Sequence, residues 1–150
     1  NKLFNKTAEY IAYYKDDSGN IIYGAYFDST VPDNLKGWIV DANGGKIRKI
    51  NQSAAPISKS NLYRELKKSD FDTGVFFPMA GSYEYSGEME KSGSLGGYWL
   101  ATANSGNAAQ AAAFFISVHQ NGQAFAGYTK SSITPKRNMY SIRPIYIGND

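Results

Sequence analysis

Apolar and aromatic positions come in short runs separated by clusters of Asp, Asn, Ser and Gly, and each run with its punctuation predicts one element. The stretch AEYIAYYKDDSGNIIYGAYF, residues 8 to 27, is two aromatic-rich runs around the turn formers of DDSGN, and it predicts a β-hairpin. Leu3, Phe4, Ala8, Ile11 and Tyr14 also fall near helical spacing, which leaves a short initial helix open. KGWIV and KIRKI flank DANGG, where two glycines are available for positive φ, and predict a second hairpin. NQSAAPI, residues 51 to 57, is small, polar and proline-containing, so it reads as a loop and as the best internal boundary, with no sign of a second domain. Ser58 or Ser60 is placed to cap NLYRELKK, in which Leu62, Tyr63 and Leu66 form one stripe and Lys67 and Lys68 close the last turn; this predicts a helix over 60–69. VFF then starts a strand that Pro78 stops from donating further.

GSYEYSGEMEKSGSLGG, residues 81 to 97, reads as a long irregular segment displaying Tyr83 and Tyr85, and structureless loops of that length usually have a function. YWLATA predicts a strand, NSGN a turn, and AAAFFISVHQ-NG-QAFAGYT a hairpin over 113–129, because Asn121-Gly122 suits a two-residue type I′ turn. That turn would set Gln120 opposite Gln123, Val118 opposite Phe125 and Ile116 opposite Gly127. Phe114, Ile116, Val118 and Phe125 would then share a core face, with Phe115, Ser117, His119, Ala124, Ala126 and Tyr128 on the other. YSIRPIYI alternates as a final strand, held to an edge or a bend by Pro144.

Composition narrows the classes. A chain of 150 residues with 12 Tyr, 8 Phe, 2 Trp and 15 Gly is long enough for one well-buried domain and is strand-rich in character. The absence of Cys excludes disulfides, thiolate zinc sites and cysteine nucleophiles, yet does not distinguish cytoplasm from cell surface. The net charge is +3, and the densest basic cluster, Lys46, Arg48 and Lys49, is short, so the balance gives little support to nucleic-acid binding. No apolar run is long enough to span a membrane, and no cationic start leads into an apolar segment, so any export signal or anchor is expected upstream of Asn1.

The residues with chemistry favour recognition over catalysis. His119 is the only histidine and has no acid beside it in the predicted hairpin, so it reads as a strand residue at the solvent edge. Glu84, Glu88 and Glu90 could ligate a hard cation, but a glycine-rich loop holds carboxylates poorly, and a solvated loop is the simpler reading. No phosphate-cradling glycine motif occurs, and the sequons at Asn5 and Asn51 would mean little if the chain is bacterial. Tyr83, Tyr85, Asn104, Asn107, Gln123, Tyr128 and Asn138 combine aromatic rings and side-chain amides on predicted turns, the groups of adaptable, wet binding surfaces; the alternative is ordinary polar loops.

Four segments in order, FFPMAG at 76 to 81, a glycine-rich loop, GGYWLAT at 96 to 102 and YSIRPIY at 140 to 146, resemble the Fibrobacter succinogenes major paralogous domain, a bacterial relative of the C-type lectin-like fold. The resemblance covers about residues 74 to 147 and leaves the place of 1 to 57 open. It implies an α+β, C-type lectin-like single domain over 1–150. Pro78, Ala80, Gly81, Trp99, Thr102, Ser141 and Arg143 would be structural residues, Gly96 and Gly97 would admit backbone closely into the core, and Trp99 would fill its centre. Met79, Leu100 and Ala101 depart from the family pattern, and the upstream Trp-Arg-Leu-Pro-Thr signature is missing, with GWIV at 37 to 40 in its place.

By that resemblance the expected function is a non-catalytic ligand-binding or adhesion module of a bacterial surface or secreted protein, such as a pilus tip. It would be part of a longer chain or assembly, and would engage a glycan or protein on a host or neighbouring cell through the loops that carry the seven residues above. No cofactor, metal, nucleic acid or membrane insertion is expected, and the calcium motifs of sugar-binding C-type lectins are absent. The alternatives are a structural module of a larger envelope protein, or an enzyme on a fold like that of the formylglycine-generating oxidases, which depend on cysteines that this chain lacks.

Overall fold

The computed structural model describes residues 2–50, 63–83, 89–90, 95–103, 106–118, 124–125, 132–135, 140 and 142. Among them the chain is a mixed α+β fold made mostly of strands: one α-helix, two 3-10 turns and twelve strands. The helix α1, Lys2–Lys6, leads into β1, Ala8–Lys15, so the initial helix left open by the sequence and the first hairpin both form. β1 pairs antiparallel with β2, Ile21–Asp28, from Ala8↔Asp28 to Lys15↔Ile21. The connecting turn is held by Asp16, whose carboxylate accepts hydrogen bonds from the backbone of Ser18 and Asn20 and from the Asn20 amide at 2.8–2.9 Å.

The second predicted hairpin also forms, from β3, Trp38–Val40, and β4, Lys46–Lys49. Asp41 braces its turn by accepting from the amides of Asn43 and Gly45, and of the two glycines only Gly44 takes positive φ, at 82°. Pairing is irregular here: Ile39 faces Arg48 but Val40 faces Lys46, so Ile47 is an inserted residue and β4 carries a bulge.

Residues 60–69 are the main departure from expectation. In place of a helix the described part is β5, Arg64–Leu66, followed by a 3-10 helix over Lys68–Asp72; Ser58, Ser60 and Leu62 lie outside the described residues. β5 pairs parallel with β1, Ala12↔Arg64 through Tyr14↔Leu66. A helix would place Tyr63 and Leu66 on one side. The strand sends Tyr63 to one face of the sheet, 5.6 Å from the Tyr23 ring, and buries Leu66 on the other. Because both faces of this sheet are apolar, splitting the stripe buries more than keeping it together, and tertiary pairing overrides local propensity.

β6, Gly74–Pro78, completes the first sheet as predicted, on the free edge of β2. The order is β4-β3-β1-β2-β6, with β5 beside β1 beyond β3. Odd residues of β1 face one core, with Phe4, Ala25, Phe27, Ile39, Phe77, Met79 and Tyr98; even residues face a second, with Tyr26, Val31, Val40, Leu66 and Phe76. The sheet is therefore a middle layer. That accounts for runs such as YIAYY, which lack polar alternation.

The stretch expected to be irregular, 81 to 97, contains a short antiparallel ladder, β7, Ser82–Tyr83, with β8, Met89–Glu90. It also contains the start of β9, Leu95–Ala103. β9 pairs with β10, Gln110–Val118, whose other edge takes β11, Ala124–Phe125, and β12, Ser132–Pro135. The β10–β11 hairpin forms with a different register: Val118 pairs with Ala124 and Ser117 with Phe125. Five residues separate the last described pair. The one-residue slip moves Phe125 from the position of Val118 to that of Ser117, so Phe125 does not share a face with Phe114, Ile116 and Val118 as expected. Residues 119–123, including Asn121-Gly122, lie outside the described residues, as does most of the tail. Of the expected final strand, Tyr140 and Ile142 are described and neither is in a strand; Ile142 is 78% exposed.

The two sheets meet along a seam of close backbone. Gly81 bridges to Gly96 in parallel sense, and a Cβ on Gly96 would come within 2.8 Å of the Pro78 carbonyl oxygen. A Cβ on Gly97 would strike the Tyr140 ring at 2.6 Å. Close approach of backbone is seen at Gly96, while Gly97 makes room for a side chain, and the aromatic at the centre is not Trp99. Tyr98 is 4% exposed, meets Phe77 edge-on at 5.0 Å and donates its hydroxyl to the Pro78 carbonyl. Trp99, one residue on and therefore on the opposite face, is half-buried against Tyr140 at 4.9 Å.

Candidate functional site

Two of the seven expected ligand-binding residues are among those described. Tyr83 belongs to β7, opposite Met89. Asn107 lies exposed in the turn between β9 and β10. Its Oδ1 accepts from the Ala109 amide at 2.9 Å and its carbonyl accepts from Gln110 at 3.1 Å, so the side-chain oxygen is engaged in shaping the turn and the amide nitrogen is its remaining polar group. The two residues are not brought together by β9. Gly81, which leads into β7, meets that strand at Gly96, whereas the Asn107 turn follows Ala103; at about 3.3 Å per residue these attachment points are roughly 23 Å apart. Tyr85, Asn104, Gln123, Tyr128 and Asn138 lie outside the described residues, as do His119, Glu84 and Glu88.

The structure gathers charge elsewhere, in two places the sequence reading missed. On the even face of the first sheet, the Arg64 guanidinium reaches Asp28 at 3.0 Å and Asp70 at 2.5 Å while lying 4.6 and 4.9 Å from the ring centres of Tyr10 and Tyr26. Asp28 also accepts from the backbone and hydroxyl of Thr30, and Asp70 from the Lys67 amide. The Tyr26 hydroxyl donates to the Asp70 carbonyl at 2.7 Å. Burial alone would raise the Asp28 carboxyl, but the hydrogen bonds from Thr30 and Arg64 outweigh it and hold the group below its ordinary value. Burial would lower Arg64, and its two carboxylate partners raise it instead. Every charge in this cluster is paired, so it acts as a clasp joining β2, β5 and the 3-10 turn. Arg64→Met is expected to cost about 2 kcal/mol, less than for a wholly buried pair because the guanidinium is partly exposed, as urea unfolding at pH 7 would show. A loss under about 0.5 kcal/mol would contradict the clasp. Nothing in the local sequence announces these partners, which come together only through the β1–β5 pairing.

The second place is Glu9, which is 0% exposed on the odd face and has no hydrogen-bond partner on either carboxylate oxygen. Its strand neighbours are Phe27 and Ile39, and Phe4 of α1 packs 5.6 Å from Phe27. Desolvation pushes the Glu9 carboxyl up from 4.5 to about 8, against an opposing pull from Arg48, which lies on the next strand but one. The same burial holds Arg48 below the usual guanidinium range. The signal for Glu9 was legible: a single acid inside an apolar run, AEYIA.

Among the described residues no group of three or more acidic or histidine side chains could hold a metal ion, and no helix is long and apolar enough to cross a membrane. Compared with known protein families, with curated proteins and with solved structures, the chain matches none.

Proposed function

We propose that the chain is a C-type lectin-like, non-catalytic binding or adhesion module of a bacterial surface or secreted protein, such as a pilus tip, recognising a glycan or a protein on another cell. The observation that supports this reading is the glycine seam. FFPMAG and GGYW, two of the segments that carry the resemblance, lie against each other through Gly81↔Gly96 and the Tyr98–Pro78 hydrogen bond, and together make a rigid base between two sheets. Tyr83 ends β7, and Asn107 lies in the connection between β9 and β10. Rigid rings on such connections give contact area at small entropic cost, and amides give adaptable hydrogen bonds. The described acids of the Arg64 cluster are already paired, which favours binding over acid–base chemistry there.

A glycan array and a whole-cell adhesion assay identify the partner. Replacing Tyr83, Tyr85 and Tyr128 singly by Ala should then weaken binding by about 1 to 3 kcal/mol at one or two positions with melting unchanged. Neutral results at all three, or loss of binding on adding a chelator, would reject the loop-built, metal-independent site.

A further inference from the structure

A second surface, independent of the loop-built site, is created by the bulge in β4. In a regular strand, residues three apart face opposite sides, so Lys46 and Lys49 would be separated by the sheet. Insertion of Ile47 changes that. Ile47 packs toward the odd-face core while Lys46 and Lys49 both come over the indole of Trp38, their ammonium groups 4.9 and 5.7 Å from its ring centre. Bulges re-aim side chains in this way. Both lysines are exposed, and among the described residues neither makes an ion pair. The neighbouring lysine, Lys36, is by contrast bound to Asp33 at 2.7 Å, and the turn acid Asp41 is occupied with the amides of Asn43 and Gly45. Two cations thus lie over one half-buried aromatic, with neither ion-paired among the described residues.

We infer that the Trp38–Lys46–Lys49 surface binds an anionic polysaccharide, one bearing sulfate or carboxylate groups. Two fixed ammonium groups complement successive anionic substituents on an extended chain, and the exposed part of the indole beside them offers an apolar surface to sugar C–H groups. Nucleic acid fits less well. A basic stripe of the usual length is missing at a net charge of +3, and a lone half-buried indole provides no run of aromatic rings for successive bases to stack on.

The test is titration of the whole chain with a sulfated polysaccharide, its desulfated form, polyglutamate, and single- and double-stranded DNA of similar length at several salt concentrations. The sulfated chain should bind at low salt and the desulfated form at least about tenfold more weakly, since the charge-driven part of affinity comes from released counterions. Lys46→Gln with Lys49→Gln should raise the half-saturating concentration about tenfold or more and reduce the salt dependence by about two ions. Lys46→Arg with Lys49→Arg should retain binding, which separates lost charge from lost structure. Lys6→Gln with Lys68→Gln removes equal charge elsewhere and should leave binding intact. The proposal is overturned if the sulfated chain does not bind, if the 46/49 glutamine pair binds like the parent, if the 6/68 pair loses as much, or if DNA or polyglutamate binds as tightly as the polysaccharide.

Discussion

Stability is expected to fall as pH rises from about 4.5 to about 8, with a slope approaching about 1.4 kcal/mol per pH unit, because Glu9 keeps a proton in the folded state that it releases on unfolding. The sign follows from the direction of the shift. A carboxyl whose folded value is raised binds more protons when native, so its contribution is complete below the unfolded value and is lost as pH climbs to the folded one. Across the window the change amounts to roughly 5 kcal/mol, a large share of what a domain this size has in reserve. Asp28 acts in the opposite sense. Its lowered value makes the Arg64 clasp strongest above the ordinary carboxylate range and weakens it as pH falls below 3.8. The two together place the stability maximum on the acid side of neutrality. Glu9→Gln removes the titrating proton in nearly the same shape. Urea unfolding at pH 4.5, 6 and 8 should show the variant close to the parent at the lowest pH and more stable by several kcal/mol at the highest. Parallel pH profiles for the two proteins would mean that Glu9 is not the buried titrating group.

Tyr98→Ala is expected to cost about 3 to 5 kcal/mol, since it removes a ring held edge-on to Phe77 at the meeting of the two sheets and leaves a cavity between backbones that cannot collapse. Tyr98→Phe isolates the hydroxyl: it keeps the ring and deprives the Pro78 carbonyl of its donor, at a cost of about 1 to 2 kcal/mol. Trp99→Ala, on the half-buried face, should cost less than Tyr98→Ala. Thermal melts of the three variants settle the ranking, and an equal or larger loss at Trp99 would reverse the assignment of the central aromatic.

The parts of the fold that were legible in the sequence are those whose determinants are local. Asp16 and Asp41 each hold a turn through contacts within four residues, and both hairpins were read from the chain around them. What could not be read depends on partners far away. Residues 63 to 66 carry a helical stripe, and only the edge of β1, with an apolar layer on each side, turns them into a strand. Asn121-Gly122 suggested a register by its turn preference, yet β11 pairs through Ser117 and Val118 one residue away from it. Tyr98 and Trp99 are adjacent aromatics, and period-two alternation makes one of them central without saying which. Of the candidate site, the turn position of Asn107 is legible from its polar small-residue surroundings, while its engagement with Ala109 depends on the conformation that turn adopts. The lysines over Trp38 were visible as a short basic cluster, but their common face depends on a bulge that no composition reveals.

A sheet with apolar residues on both faces lacks a safeguard that ordinary half-buried sheets possess. When one side is polar, slipping a strand by one residue turns oily groups to water, and the error carries its own penalty. In β1, a slip would exchange Tyr10, Ala12 and Tyr14 for Ile11, Tyr13 and Glu9, a set of similar oiliness apart from one acid. Alignment must then come from the Asp16 turn and from Glu9, which a one-residue slip would turn to the opposite face, away from Arg48. The buried acid that is expected to weaken the finished protein at neutral pH is therefore also the one acid of β1, and its polarity distinguishes one register from the next.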